Sequence, residues 1–369
     1  MRFRKLAFRT LAAACGFSCT LFAIASVKAA TWPQGLPIYD HIVIVVEENK
    51  NYEHVIGSND APFINRLATE GAVFTKMYGE EHNSEGNYFW LFGGGNFNVG
   101  FEDKMPPHSF YERNLGQQLI AHGFSFKGYS EDLPEIGSVV EAWPELPCGV
   151  KCRYARKHVP WVSFPGLCGN KTVEGCANLR FSDFPADFSR LPTVSFVIPN
   201  LISDMHGVDY KCPTTLEYIG TQVKQGDVWL RANLGAYYEW AKTHNSLLIV
   251  TFDENENDCT KRYAGLTDPR LTNPVLRNRI ATVFAGACVK AGEYPEGEGI
   301  THVNILRTIE AMYGLGKSGA QQANAEKAGI SDGFVIKDVF TERDLKCRVS
   351  GVLSLDGDRS RRGLGRDEQ

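Results

Sequence analysis

Two strongly apolar runs constrain this chain more than any other feature. HIVIVV, residues 41–46, leads into Glu47-Glu48-Asn49, and LLIVTF, residues 247–252, leads into Asp253-Glu254. Short runs rich in Ile and Val, without polar alternation, suit central strands of a parallel sheet whose two faces are both covered by helices. In an open α/β sheet the carboxyl ends of such strands face one crevice, so residues about two hundred positions apart can share a site. The expected fold is therefore α/β, with a mostly parallel central sheet and helices on both faces. Either acidic end alone reads equally well as a solvated loop, because Asp, Glu and Asn favour turns. Two together point to a site for a hard cation.

The remaining pattern supports this fold. Strands are predicted near 41–46, 72–77, 124–127, 194–198, 247–252 and 280–285, and helices near 62–70, from Ser84 onward, and near 115–122, 228–242 and 302–313. The alternation fails between Pro134 and Asp187, where prolines, aromatics and four cysteines cluster. That stretch is expected to be a disulfide-stapled insertion or lid. From Arg348 to Gln369 the chain is polar and glycine-rich, which predicts a disordered tail.

Residues 1–29 combine Arg2, Arg4, Lys5 and Arg9 with an apolar core and the small-residue ending Val27-Lys28-Ala29, the pattern of a secretory signal peptide. The remainder, 30–347, is expected to be one domain, secreted or periplasmic. Cys148, Cys152, Cys168, Cys176, Cys212, Cys259, Cys288 and Cys347 would then lie in an oxidising compartment. Cys148 with Cys152, and Cys168 with Cys176, are close enough for local bridges. Without the leader the chain has about 34 basic residues against 43 acidic ones, which argues against nucleic acid as the main partner. No later run is long enough to span a membrane.

Glu48, Asn49, Asp253 and Glu254 offer only oxygen ligands, which suits a hard or borderline divalent cation. The best nucleophile candidate is Ser84, in Glu81-His-Asn-Ser-Glu-Gly-Asn-Tyr-Phe-Trp90, where a predicted strand gives way to an apolar helix. A serine there can be an ordinary helix cap, but it also sits among free backbone N–H groups that favour phosphate. A divalent metal would lower its hydroxyl pKa. His206 follows one strand end and His302 precedes a helix, so both imidazoles are placed to bind a phosphoryl oxygen or a metal. Asp204 either orients His206 or joins the site.

Taken together, these residues resemble the metal-dependent phosphoesterases that include secreted bacterial acid phosphatases and phospholipases C, within the alkaline phosphatase superfamily. The likeness runs in order through residues 41–49, 82–88, 128–134, Tyr154-Ala-Arg-Lys-His158-Val-Pro160, 199–206, 226–230, 250–254 and 302–310. It implies that Glu48, Asn49, Ser84, Asp253 and Glu254 gather a divalent metal whose identity and number stay open. It also implies that Ser84 forms a phosphoseryl intermediate while His206 and His302 contact phosphate. Related acid phosphatases have His-Pro-Ser-x-Pro-Asn-Tyr around the serine, whereas this chain has Asn83 and Gly86 at the proline positions. The superfamily's further phosphate-binding asparagine corresponds to Asn96 or Asn98.

The expected activity is hydrolysis of small phosphate monoesters, in the manner of an acid phosphatase. The alternative within the family is a phospholipase C-type diesterase that meets a lipid headgroup. A more distant alternative is a Ser-His-Asp esterase built from Ser84, Asp253 and His302, which leaves Glu48-Asn49 and Glu254 without a role. Sulfatases share the superfamily but carry a Cys or Ser followed by Pro and Arg, which Ser84 lacks.

Overall fold

The computed structural model describes residues 32–82, 84–99, 109–144, 151–207, 216–256, 278–297, 299–319, 333–341 and 348–349. The predicted leader, 1–29, lies outside them, as does the predicted tail beyond Val349. Arg348 and Val349 themselves form a strand rather than the start of a tail.

Strands in chain order are β1 (Pro37–Ile38), β2 (His41–Glu47), β3 (Ala72–Phe74), β4 (Met77–Tyr78), β5 (Phe126–Ser130), β6 (Ala142–Trp143), β7 (Tyr154–Ala155), β8 (Asn178–Arg180), β9 (Val194–Ile198), β10 (Ser246–Phe252), β11 (Val283–Gly286), β12 (Gly292–Tyr294), β13 (Ile300–Thr301) and β14 (Arg348–Val349). The helices are α1 (Tyr52–Val55), α2 (Pro62–Glu70), α3 (Ser84–Gly93), α4 (Leu115–Ala121), α5 (Leu216–Ala241) and α6 (His302–Met312).

An eight-stranded sheet in the order β12-β3-β11-β10-β2-β9-β5-β8 organises the molecule. Its pairings are parallel except where β11 meets β10 and β3. The two opening runs are neighbours at its centre: β2 and β10 pair in parallel from His41 opposite Ser246 to Glu47 opposite Phe252. Their acidic extensions therefore leave the sheet at one edge. Ile42 to Val46 and Leu247 to Phe252 are all buried, as two-sided helix cover requires.

The stretch from Pro134 to Asp187 is more closely built into the domain than the insertion expected from sequence. It supplies edge strand β8, paired with β5. It also buries Trp161, whose ring packs against Gly128 of β5, where an added Cβ would come 2.1 Å from Trp161 Cζ2. The predicted Cys168–Cys176 bridge is present. Cys152 and Cys288 are also disulfide-bonded.

Helix α5 starts well before the predicted 228. The interior glycines that weaken helix propensity there answer to packing instead: a Cβ on Gly226 would come 2.3 Å from Met205 Cγ and 2.8 Å from Ser203 O. The glycine lets the loop that carries His206 rest on α5.

Candidate active site

Ser84 opens α3, whose ten residues are all buried. The helix has no polar face because both sides are packed: Phe92 meets Phe126, Trp161, Phe164 and Phe196, and Tyr88 stacks on His158 with ring centroids 5.0 Å apart. The loop before Ser84 is held by Asn87, which accepts from Glu81 N at 3.1 Å and donates to Glu81 O at 2.6 Å. The Glu81 carboxylate in turn accepts from Trp90 Nε1 and from Asn96 Nδ2, each at 3.0 Å. This arrangement accounts for Gly86, since a Cβ there would fall 2.0 Å from Glu81 Oε1. Asn96 Nδ2 gives one of its two N–H groups to Glu81 in this arrangement.

The strand ends of β2 and β10 meet Ser84 from below. Its Oγ donates to Glu48 Oε2 at 3.1 Å and reaches Glu254 Oε1 at 3.4 Å. Asn49 takes a left-handed backbone, φ 44°, which Asn tolerates better than most residues. That turn points its N–H at Asp253 Oδ1, 3.0 Å away, and the same oxygen accepts from Glu254 N at 2.6 Å. Five residues from three elements thus converge.

Glu48 is the hub. Besides Ser84, its fully buried carboxylate meets Tyr88 OH at 3.2 Å, His158 Nε2 at 2.8 Å and His206 Nδ1 at 3.4 Å. Burial drives its pKa up, but His158, then His206 and Lys157, outweigh this and hold it well below the usual carboxylate range. Asp253 is the opposite case: burial, followed by repulsion from Glu48 and Glu254, pushes it well above that range. Asp204 is raised by burial and by Glu48. Its Oδ1 accepts from His206 N at 3.0 Å and Gly207 N at 3.1 Å, and its carbonyl accepts from Glu48 N at 2.7 Å. Asp204 thus shapes the turn that carries His206 through the backbone.

This donor set fits a divalent cation. Asn49 Oδ1 and Asp253 Oδ2 are buried without a hydrogen-bond partner, and three carboxylates crowd around them. Such crowding is costly unless a positive charge is shared. Among the described residues no three His, Cys, Asp or Glu side chains form a metal cage by themselves. The cation would also need the Asn49 amide and the Ser84 hydroxyl.

His302 is not brought to this cluster. It is buried at the head of α6, with Nδ1 2.7 Å from Glu80 Oε2 and Nε2 2.7 Å from the Phe252 carbonyl. Neither ring nitrogen is left for a phosphoryl oxygen, in contrast to the expectation from sequence. His158, which the sequence reading placed within the motif Tyr154-Ala-Arg-Lys-His158-Val-Pro160 without giving it a site role, does join the cluster. It lies in the consecutive basic run Arg156-Lys157-His158, and that run is the signal that marks it in the sequence. His82 is also engaged, with Nδ1 2.9 Å from Glu254 Oε2.

A mostly parallel sheet thus delivers carboxylates, an amide and two histidines to a helix-heading serine, a constellation suited to hydrolysis of phosphate esters. Residues 58–316 match the Phosphoesterase family, and the chain belongs to it. It is 40% identical over 319 residues to the phosphatidylinositol-3-phosphatase of Mycobacterium tuberculosis, covering 86% of this chain and 90% of that protein. The phosphate-repressible acid phosphatase of Penicillium chrysogenum is 25% identical over 293 residues, 78% of this chain and 62% of the relative. A candidate sulfatase structure from Bacteroides thetaiotaomicron shares the fold with a TM-score of 0.50 at 13% identity, covering 80% of this chain and 75% of that one. No described helix is long and apolar enough to cross a membrane.

Proposed function

We propose that this protein is a secreted, metal-dependent phosphomonoesterase that works through a phosphoserine at Ser84. The carrying observation is the position of Ser84 Oγ, 3.1 Å from Glu48 and 3.4 Å from Glu254 beside the unpartnered oxygens of Asn49 and Asp253. The Ser84 hydroxyl already donates to Glu48, which holds Oγ in place to attack phosphorus as its proton is lost to water. The P–O ester bond then breaks, the alcohol departs, and water hydrolyses the phosphoserine to release phosphate and restore the hydroxyl. Held by Glu48, Asn49, Ser84, Asp253 and Glu254, a divalent cation would supply positive charge against the phosphate and the ionising hydroxyl. His206 and His158 both lie against Glu48 and would donate to equatorial phosphoryl oxygens.

The substrate class rests on the relatives. Acid phosphatases support a small monoester. The Mycobacterium tuberculosis relative adds a second reading, in which the monoester is the 3-phosphate of a phosphoinositide headgroup. One assay separates them: p-nitrophenyl phosphate, phosphatidylinositol 3-phosphate in vesicles, bis-p-nitrophenyl phosphate and phosphatidylcholine, compared at one enzyme concentration. Monoesters should be cleaved at least a hundredfold faster than either diester, and Ser84→Ala should lower that rate by about a thousandfold or more. Preferred cleavage of the diesters would make the enzyme a phospholipase C-type diesterase. Retention of near-full activity in Ser84→Ala would remove the nucleophile assignment.

A further inference from the structure

The segment that carries the nucleophile and the strand end that carries two metal ligands come from different parts of the chain. β4, which leads through Glu80 and Glu81 to Ser84, pairs with β13 rather than with the central sheet. β10, which leads to Asp253, is central. A site that needs Ser84 within hydrogen-bond reach of Glu254 depends on what fixes these two units to each other.

The His302 ring spans that gap. β4 and β13 are parallel, with Met77 opposite Ile300 and Tyr78 opposite Thr301, so the residues just past their ends lie side by side. Glu80 places one carboxylate oxygen 2.7 Å from His302 Nδ1 and uses the other to accept from Val303 N, at the head of α6, at 3.0 Å. The other face of the ring reaches β10, with Nε2 2.7 Å from the carbonyl of Phe252. A carbonyl only accepts, so Nε2 carries a hydrogen. Phe252 immediately precedes Asp253. Gly79 lets the two segments close up, since a Cβ there would come 2.7 Å from Asp253 O and 2.5 Å from Asn278 Nδ2. Both Glu80 and His302 are buried, so water does not compete for these bonds.

We propose that His302, paired with Glu80, is a positioning residue: a brace that sets the distance between the Ser84 loop and the Asp253-Glu254 end of β10, and thereby the affinity of the site for its cation. Partners one step behind metal ligands commonly control metal affinity in this way, typically by 10–100-fold. This inference rests on the metal-dependent reading given above. It gives His302 a role different from contact with phosphate.

The test uses the full enzyme reloaded with Mn²⁺ and compares wild type with His302→Asn and with Glu80→Gln, which keeps the side chain's size. Three quantities are read: the Mn²⁺ dissociation constant by calorimetry, kcat at saturating Mn²⁺, and the competitive Ki of inorganic phosphate. The brace requires the Mn²⁺ dissociation constant to rise about tenfold or more in both variants, with kcat lowered and the phosphate Ki within about threefold of wild type. A tenfold rise in phosphate Ki with Mn²⁺ affinity unchanged would overturn the brace and restore His302 as a phosphate contact. Unchanged values for all three quantities would also overturn it. If His302→Asn does not fold, Glu80→Gln carries the same comparison. Nitrogen-15 NMR of the wild-type ring adds a check that needs no variant: the absence of a hydrogen on Nε2 would sink the proposal. Failure of wild-type protein to bind Mn²⁺ would instead overturn the underlying functional reading, and the brace with it.

Discussion

Gly128→Ala offers a sharp test of how the Pro134–Asp187 stretch is joined to the sheet. A methyl group at position 128 would meet three atoms of the Trp161 indole at 2.1, 2.2 and 2.6 Å, well inside contact distance. The ring cannot swing away, because Phe92, Phe126 and Phe196 pack around it and Nε1 donates to Asn178 Oδ1 at 3.0 Å. Overpacking of this kind costs about 1–3 kcal/mol, against a gain of roughly 0.5–1 kcal/mol for replacing glycine within a strand. Trp161→Leu removes all three clashing atoms but leaves a void and an Asn178 acceptor without its donor, a loss of about 2–4 kcal/mol. In that background the new methyl occupies vacated space, so Gly128→Ala should become neutral or stabilising. The expected double-mutant coupling is about 1.5–3 kcal/mol, favouring the double variant over additivity. Urea denaturation with the disulfides intact, followed by tryptophan fluorescence in the Gly128 series and by circular dichroism throughout, measures all four corners. An equal cost for Gly128→Ala in both backgrounds would refute the idea that the glycine exists to admit Trp161.

Two further outcomes follow from the charges. Removing His158 takes away the largest influence that lowers the Glu48 pKa, so His158→Ala should move the acid limb of the activity profile to higher pH and lower kcat/KM by about 10–100-fold; an unmoved acid limb would show that His158 does not govern Glu48. Between β12 and β13, burial and Asp338 push Glu296 up to about 7 from 4.5. A carboxyl with a raised folded pKa binds more protons folded than unfolded, so its favourable contribution is fully present below about 4.5 and is lost as pH rises through about 7. Because Glu296 is only partly buried, solvent screening reduces the effect to about 1 kcal/mol. Glu296→Gln should flatten stability between pH 5 and 8 by that amount, measured by urea unfolding at each pH.

The Ile- and Val-rich runs made β2 and β10 legible as central strands, and their acidic ends made Glu48, Asn49, Asp253 and Glu254 legible as one cluster. A serine at the head of an apolar run marked α3 and Ser84. What stayed hidden shares one character: it depends on short elements or on contacts across the chain. β4 and β13 are two residues each, too short to leave a periodicity, yet their pairing is what sets Glu80 beside His302. β8 has three residues, so a stretch that contributes an edge strand read as an insertion. Gly220 and Gly226 concealed the first turns of α5, because propensity counts the cost of glycine and not the Asp60 and Met205 side chains that press against it.

Sequence alone determined which residues lie at the carboxyl edge of the sheet, because strand polarity and burial follow from local apolar pattern. Only the tertiary structure decided what each of those residues faces. Two histidines of similar sequence promise were separated by their surroundings: His206 turns toward Glu48 over a helix made accessible by Gly226, while His302 is enclosed between Glu80 and Phe252. A third, His158, joined the site through stacking on Tyr88. An imidazole's role is set by what its two ring nitrogens meet, and those partners lie 110, 158, 222 and 50 positions away in the chain for His158 and His206 on Glu48, and for His302 on Glu80 and Phe252.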